Sequence, residues 1–126
     1  MIPSFTRAYE AAAAIEGYRI VVFADPANGS TITTASDNTS ASLGIADSMG
    51  AELGGMCDVH RDGLYPVRLG GPVAAGDPLT SDANGAAIKA VAAAGTTIRI
   101  IGFAEEPGVA DDLCPTFLSP GLLHEA

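Results

Sequence analysis

The chain has 126 residues, fifteen acidic and six basic, and a formal net charge of −9 at pH 7. This length is enough for one domain with a core of its own. Binding to nucleic acid needs a basic face that neutralises phosphates, so the charge argues against a nucleic-acid partner. It argues equally against an anionic membrane surface, and no apolar run approaches the roughly 20 residues that span a bilayer.

Residues 1–14 differ in composition from the rest of the chain. The alanine run that begins at Ala11 favours a helix by propensity, but a helix of about ten residues is marginal on its own. Pro3, Phe5 and Tyr9 suit an extended segment that docks on another surface. We therefore predict an N-terminal extended arm over residues 1–14, with at most one helical turn, followed by a folded domain over residues 15–126.

The following segments predict short strands separated by turns, because glycine and proline recur at short intervals throughout the chain. In the first strand, residues 18–24, Ile20 and Val22 alternate with Val21 and Phe23 on opposite faces. The turn that includes Asn28 and the following glycine tolerates positive φ. Further strands are predicted at residues 31–35 and 43–46.

Residues 57–69 alternate around Gly63 and predict a hairpin, in which Pro66 indicates an edge strand or a bulge. Residues 67–90 predict a strand, a Gly-Gly-Pro break, a short strand, a hairpin tip at Asn84-Gly85 and a return strand. Two last strands are expected at residues 98–105 and 112–118, with a tail from Pro120. The sequence thus predicts an all-β fold, a single small β-barrel or β-clip-like domain of short strands.

Two segments of the chain resemble each other. Residues 43–47 (LGIAD) are echoed 58 positions later by residues 101–105 (IGFAE), and Cys57 is echoed by Cys114. Two similar β-hairpin units would explain this echo, although chance in a chain rich in alanine and glycine would also produce it. If the units are real, the cysteines are equivalent small core residues rather than a redox pair.

No constellation of side chains in the sequence indicates catalysis. His60 could share a strand face with Asp58 and Asp62, as an oriented base or a weak metal site, but a solvated acidic face is the favoured interpretation. Cys57 lies on the opposite face of that strand. We therefore expect no catalytic residues, no metal and no cofactor, and reduced thiols rather than a disulfide; a Cys57–Cys114 disulfide would instead favour a secreted β domain.

Lys89 supports an alternative function. A lone lysine in a small acidic β domain is typical of lipoyl and biotinyl carrier domains, whose modified lysine lies at a hairpin tip. Here the tip is Asn84-Gly85, and Lys89 follows it inside the return strand. A lipoyl-like, biotinyl-like or β-clip domain of an enzyme system that uses Lys89 therefore stays the alternative hypothesis.

Residues 69–85 (LGGPVAAGDPLTSDANG) resemble the capsid cement, or head decoration, proteins of tailed bacteriophages. The segments YRIVVF and LGIAD and the ending IIGFAEEPGVADDLCPTFLSPGLL also resemble that family, so that the resemblance covers most of residues 15–123. Its motifs are turns and strands rather than reactive residues. The Cys57-Asp58-Val59-His60 strand and Cys114-Pro115 depart from the usual pattern.

The resemblance implies a non-enzymatic minor capsid protein on the outer surface of the virion, made in the cytoplasm of the host bacterium. Its partner would be the major capsid protein, whose neighbouring subunits it would clamp as homotrimers at three-fold and quasi-three-fold positions. Within the N-terminal arm, we expect Pro3, Phe5, Arg7 and Tyr9 to contact the capsid.

Overall fold

The computed structural model describes residues 6–124, and all of the regular elements in that range are β-strands. The all-β prediction is therefore confirmed. That range contains no helix with the length and apolar character needed to cross a membrane. The strands are β1 (Thr6–Ala11), β2 (Ile20–Asp25), β3 (Asn28–Thr34), β4 (Ser42–Ala46), β5 (Met56–His60), β6 (Gly63–Arg68), β7 (Pro78–Ser81), β8 (Ala87–Lys89), β9 (Thr97–Ala104) and β10 (Leu113–His124).

Strands β1 to β5 close into a barrel in the order β1-β3-β2-β4-β5, which we call the first unit. The predicted alternation of its second strand is confirmed. Val21 and Phe23 point into the barrel, whereas Ile20 and Val22 point out of it into a second core. Both faces of β2 are thus buried, because an apolar residue stands at every position of its first half.

Strands β6 to β10 form a five-stranded sheet in the order β6-β10-β9-β7-β8, which we call the second unit. The hairpin predicted around Asn84-Gly85 is confirmed as the β7–β8 pair. Its two edge strands approach each other at one parallel bridge, between Leu69 and Ala87. The sheet is therefore nearly closed at this end.

Two predictions about strand pairing are wrong. Residues 57–69 are not a hairpin, because β5 pairs with β1 and β4 in the first unit while β6 pairs with β10 in the second. Gly63, at φ 78°, turns the chain from one unit to the other instead of back on itself. The predicted tail at Pro120-Gly121 is also wrong: β10 runs through it to His124, with an irregular register between Leu118 and Gly121.

The two units are copies of one pattern of strand pairing. Tyr9 pairs with Cys57 as Val67 pairs with Cys114. The parallel β1–β3 pair has its counterpart in the bridge that links the end of β6 to β8. The β4–β5 and β2–β4 registers likewise recur as β9–β10 and β7–β9. The echo found in the sequence therefore reaches beyond one hairpin to five strands.

The same correspondence extends to the two cores. The first unit buries a cluster inside its barrel, and the second unit buries residues at the equivalent positions, including Cys57 and Cys114 respectively. The second core contains, in addition, Ile20 and Ile45 from the outer face of the first barrel, neither of which is exposed to solvent. The two units therefore share a core rather than standing apart.

Gly44 and Gly102 occupy equivalent positions, and each permits a close approach of neighbouring strands. A Cβ at Gly44 would overlap the carbonyl oxygen of His60, and a Cβ at Gly102 would overlap that of Phe117. Neither clash is with a flexible side chain, so the backbone itself would have to move.

We predict that Gly44→Ala and Gly102→Ala each lower the free energy of unfolding by about 2–4 kcal/mol, because the added methyl group displaces a neighbouring strand. Urea denaturation measures the loss. The control is Gly29→Ala, where the nearest atom to the new Cβ is 3.8 Å away on Phe23, and we expect a change of about 0.5 kcal/mol or less. If Gly44→Ala and Gly102→Ala unfold at the same urea midpoint as the wild type, the close approach of the strands is contradicted.

Candidate functional site

The predicted N-terminal contact residues lie partly in the barrel and partly outside the described residues. Thr6–Ala11 form β1, between β3 and β5, which gives the part of the predicted arm that the structure describes an extended conformation. Arg7 is exposed on this strand, and Tyr9 is 2 % exposed. Pro3 and Phe5 lie outside residues 6–124.

Tyr9 ties the N-terminal strand to the barrel. Its ring meets that of Phe23 edge-on at 6.0 Å between centroids, and its hydroxyl accepts a hydrogen bond of 3.1 Å from Arg61. The guanidinium of Arg7 lies 5.0 Å from the centre of the same ring, within range of a cation–π interaction. The strand that begins at Thr6 is therefore well anchored in the barrel.

His60 is part of a polar cluster, but its partner is not one of the carboxylates that the sequence indicated. Its Nε2 donates to Asp47 Oδ1 at 2.9 Å, and its Nδ1 lies 3.4 Å from Thr6 Oγ1. Asp58 and Asp62, predicted to flank it, are exposed. Asp47 comes from the segment after β4, which pairs with β5 beside His60.

Tyr65 connects this cluster to the second unit. Its ring stacks on His60 with 3.6 Å between centroids, and it also stacks on Tyr18 with 5.8 Å between centroids. Its hydroxyl donates to Asp47 at 3.1 Å and accepts from the backbone N–H of Ser48 at 3.0 Å. The cluster therefore joins the two units through hydrogen bonds as well as through ring contacts.

The electrostatics of the cluster favour an ionised Asp47. The hydrogen bond from His60 is the largest cause that lowers the pKa of the Asp47 carboxyl below its usual value of 3.8, and those from Met49 N–H and Tyr65 add to it. Burial raises the pKa of Tyr65. The Asp47 carboxylate, stabilised in its ionised form by these hydrogen bonds, holds the two units together and is poorly suited to take up a proton.

The sequence missed Asp47 as the partner of His60, although a signal was present. Asp47 ends the LGIAD segment of the internal echo, and the echo aligns Asp47 with Glu105. In the structure, Asp47 N–H donates to Asp58 C=O and Glu105 N–H donates to Pro115 C=O, which are equivalent bonds. The repeat therefore indicates that the end of the LGIAD segment lies beside the strand that carries His60, which is where Asp47 is found.

Other residues with possible chemistry are separated or already paired. Within residues 6–124, no three side chains of His, Cys, Asp or Glu are grouped so that they could hold a metal ion. Cys57 and Cys114 are both free and buried, each in its own core, and burial raises the pKa of the Cys57 thiol to about 11. Lys89 ends β8, opposite Leu79, away from the hairpin tip.

An open cleft of about 510 Å³ lies where the segments that flank β2, β3 and β7 meet. Its cation, Arg19, donates to Glu16 at 2.8 Å and also reaches the carbonyl oxygen of Asn84 at 3.5 Å. The guanidinium is therefore engaged within the protein.

We predict that Asp47→Asn lowers the free energy of unfolding at pH 7 by about 1 kcal/mol, because charge-assisted bonds from His60 and Tyr65 become neutral ones. The pKa of Asp47 is lowered in the folded state, so its contribution is complete above pH 3.8 and disappears as the pH falls through the folded-state pKa. Urea denaturation between pH 2 and pH 7 measures this.

The wild type and Asp47→Asn should therefore converge in stability in acid, below pH 3.8. Asp58→Asn is the matched control, since Asp58 is an exposed carboxylate on the same strand as His60, and it should follow the wild type throughout. A constant difference between Asp47→Asn and wild type down to pH 2 would contradict the assignment.

Similarity to known proteins points to the phage head. The family model described as phage cement protein matches residues 4–116, which confirms the resemblance drawn from the sequence. No curated protein matches the chain significantly. Among solved structures, the head fiber gp8.5 N base of bacteriophage phi29 is similar, with a TM-score of 0.67 and 22% identity over 94% of this chain and 95% of that one.

At that identity the structural likeness shows a shared fold, and the family rests on the sequence model. The match begins before β1 and ends within β10, so that it spans both units. A family model that covers nearly the whole chain shows membership. The protein therefore belongs to the phage cement protein family, and its role is that of a structural protein of the phage virion.

Proposed function

We propose that this protein binds the outer surface of an assembled phage capsid and cements neighbouring major capsid subunits there, as trimers at three-fold and quasi-three-fold positions. It does so without catalysis, after synthesis in the cytoplasm of the host. The match of the phage cement protein model to residues 4–116 is the observation that carries the proposal. The phi29 protein that shares this fold is a head fiber, and so it too belongs to a phage head.

The architecture suits a mechanical role. A closed barrel and a second sheet that share a core resist deformation, since close-packed interiors have low compressibility. Weak contacts made by many copies on a repetitive shell add up through multivalency. A clamp of this kind needs stable surfaces rather than reactive groups.

The N-terminal segment is the proposed capsid-contact region. Pro3, Phe5 and Arg7 would touch the capsid, with Pro3 and Phe5 preceding a strand that is fixed to the barrel. Tyr9 is buried, so its part in the proposal is to anchor the segment. An extended segment can add main-chain hydrogen bonds to the edge of a neighbouring sheet, which gives affinity without a preformed pocket.

Deletion of residues 1–5 together with Arg7→Ala tests the contact region. Deletion through residue 10 would remove most of β1 and open the barrel, whereas deletion of residues 1–5 leaves β1 complete. We expect the truncated variant to bind capsids at least about tenfold more weakly than wild type, because capsid contacts are lost. Its free energy of unfolding should fall by about 1 kcal/mol or less, since Arg7 is exposed and its contact with the Tyr9 ring is of the weak, exposed cation–π kind. Co-sedimentation with heads assembled without this protein measures the affinity.

Lys89→Ala is the matched control, because it removes another exposed cation far from the N-terminal strand. It should decorate heads as the wild type does, and the intact mass of wild-type protein from cells with active lipoyl and biotinyl ligases should show no modification. Normal decoration by the truncated variant would contradict the role of the N-terminal segment. Failure of wild-type protein to bind any heads would contradict the proposed function itself.

A further inference from the structure

The outer face of the second unit carries a row of four apolar side chains, three exposed and one half-buried, which we call the apolar row. It consists of Leu64, Phe117, Phe103 and Pro78, on the adjacent strands β6, β10, β9 and β7. Phe117 is opposite Leu64 on one side and Phe103 on the other, and Phe103 is opposite Pro78. Leu64, Phe103 and Phe117 are 38%, 39% and 48% exposed.

Exposed aromatic side chains on a rigid sheet are unusual in a protein with few aromatic residues. Of the four phenylalanines in the chain, two stand in this row rather than in a core. Contiguous exposed apolar surface marks interaction sites, and aromatic residues are enriched in the centres of protein interfaces. The row therefore has the composition of an interface.

The internal repeat identifies the counterpart of this row in the first unit. There the equivalent positions are Thr6, His60, Ile45 and Ile20, paired in the same registers on β1, β5, β4 and β2. The second unit covers three of these four positions, and Thr6 is exposed. Ile20 and Ile45 are fully buried in the core that the second unit provides, and the ring of Tyr65 lies flat on His60.

One face of the repeat is thus covered in the first unit and exposed in the second. In the first unit, the covering element is the next unit along the same chain. Within residues 6–124 no third unit covers this face of the second one, so the face is open to another molecule. Phe103 and Phe117 stand at the positions of Ile45 and His60. Their larger apolar surfaces suit a contact with a separate chain, which has no covalent link to hold it in place.

Charge favours a second copy of the same chain as that molecule. Two copies with a net charge of −9 repel each other wherever acidic side chains meet. The chain has fifteen acidic residues, yet none of them lies within β6, β7, β8, β9 or β10. Arg68 alternates with Leu64 and Pro66 on β6 and adds a positive charge to the same face. The strands of the first unit carry Glu10, Asp25 and Asp58, so a contact between the first unit of one copy and this sheet of another brings fewer acidic strand residues together than a contact between two first units.

We propose that the apolar row is the self-association surface of this protein and that the first unit of a second copy occupies it, head to tail. This inference rests on the proposed trimeric cement function and names the surface that builds the oligomer. A head-to-tail contact is heterologous and closes into a ring when the rotation allows. Three chains of two units then form a ring in which every unit covers its neighbour.

The test is the mass of the purified protein in solution, without capsids. Analytical ultracentrifugation of wild type should give three copies of the 12.6 kDa chain in a concentration-dependent equilibrium. Phe103→Ser with Phe117→Ser should weaken association at least about 30-fold, since buried aromatic residues at interface centres dominate binding. Phe103 and Phe117 are 39% and 48% exposed in the single chain, so the dilute variant should lose some thermal stability but still unfold in one cooperative transition, which circular dichroism checks.

The control is Val91→Ser with Val109→Ser, two apolar residues of the second unit that are 71% and 59% exposed and lie outside the row. This variant should associate like wild type. A wild type that stays monomeric at high concentration, a two-fold dimer, or a phenylalanine variant that associates like wild type would each overturn the proposal. These outcomes leave capsid binding standing, because head binding by wild type is measured separately; a wild-type monomer or dimer would contradict only the trimeric state within the proposed function.

Discussion

The burial of the outer face of the first barrel against the second sheet is the contact on which the structure depends. Ile20 and Ile45 are completely removed from solvent there, and each such burial contributes about 2 kcal/mol. The same contact supplies the second sheet with part of its core, because its edge strands meet at one bridge instead of closing fully. Neither unit would bury its apolar residues as well alone.

Polar side chains reinforce this contact instead of forming a reactive site. His60 and Tyr65 converge on Asp47 from the two units, and the carboxylate accepts bonds from both. Arg61 is bonded to Tyr9 and Arg19 to Glu16. These side chains are therefore engaged in holding strands and units together, which fits a structural protein of the virion.

The duplication gives one chain two versions of the same surface in different surroundings. Ile45, on the outer face of the first barrel, is buried by the second unit, whereas the equivalent Phe103 in the second unit is exposed. The same strand pairing therefore presents a face that packs within the chain in the first unit and a face that is open to another molecule in the second. The close approaches at Gly44 and Gly102 are present in both copies because backbone sterics do not depend on what covers the outer face.

The sequence by itself determined the all-β class, the alternation of β2, the β7–β8 hairpin and the presence of an echo, because turn chemistry and side-chain alternation are local properties. Only the tertiary structure decided that β5 and β6 separate at Gly63 and that β10 continues past Pro120. It also decided that His60 is bonded to Asp47 rather than to Asp58. Strand partners and cross-sheet contacts depend on which distant segments meet, and alternation along one strand carries no information about its neighbour.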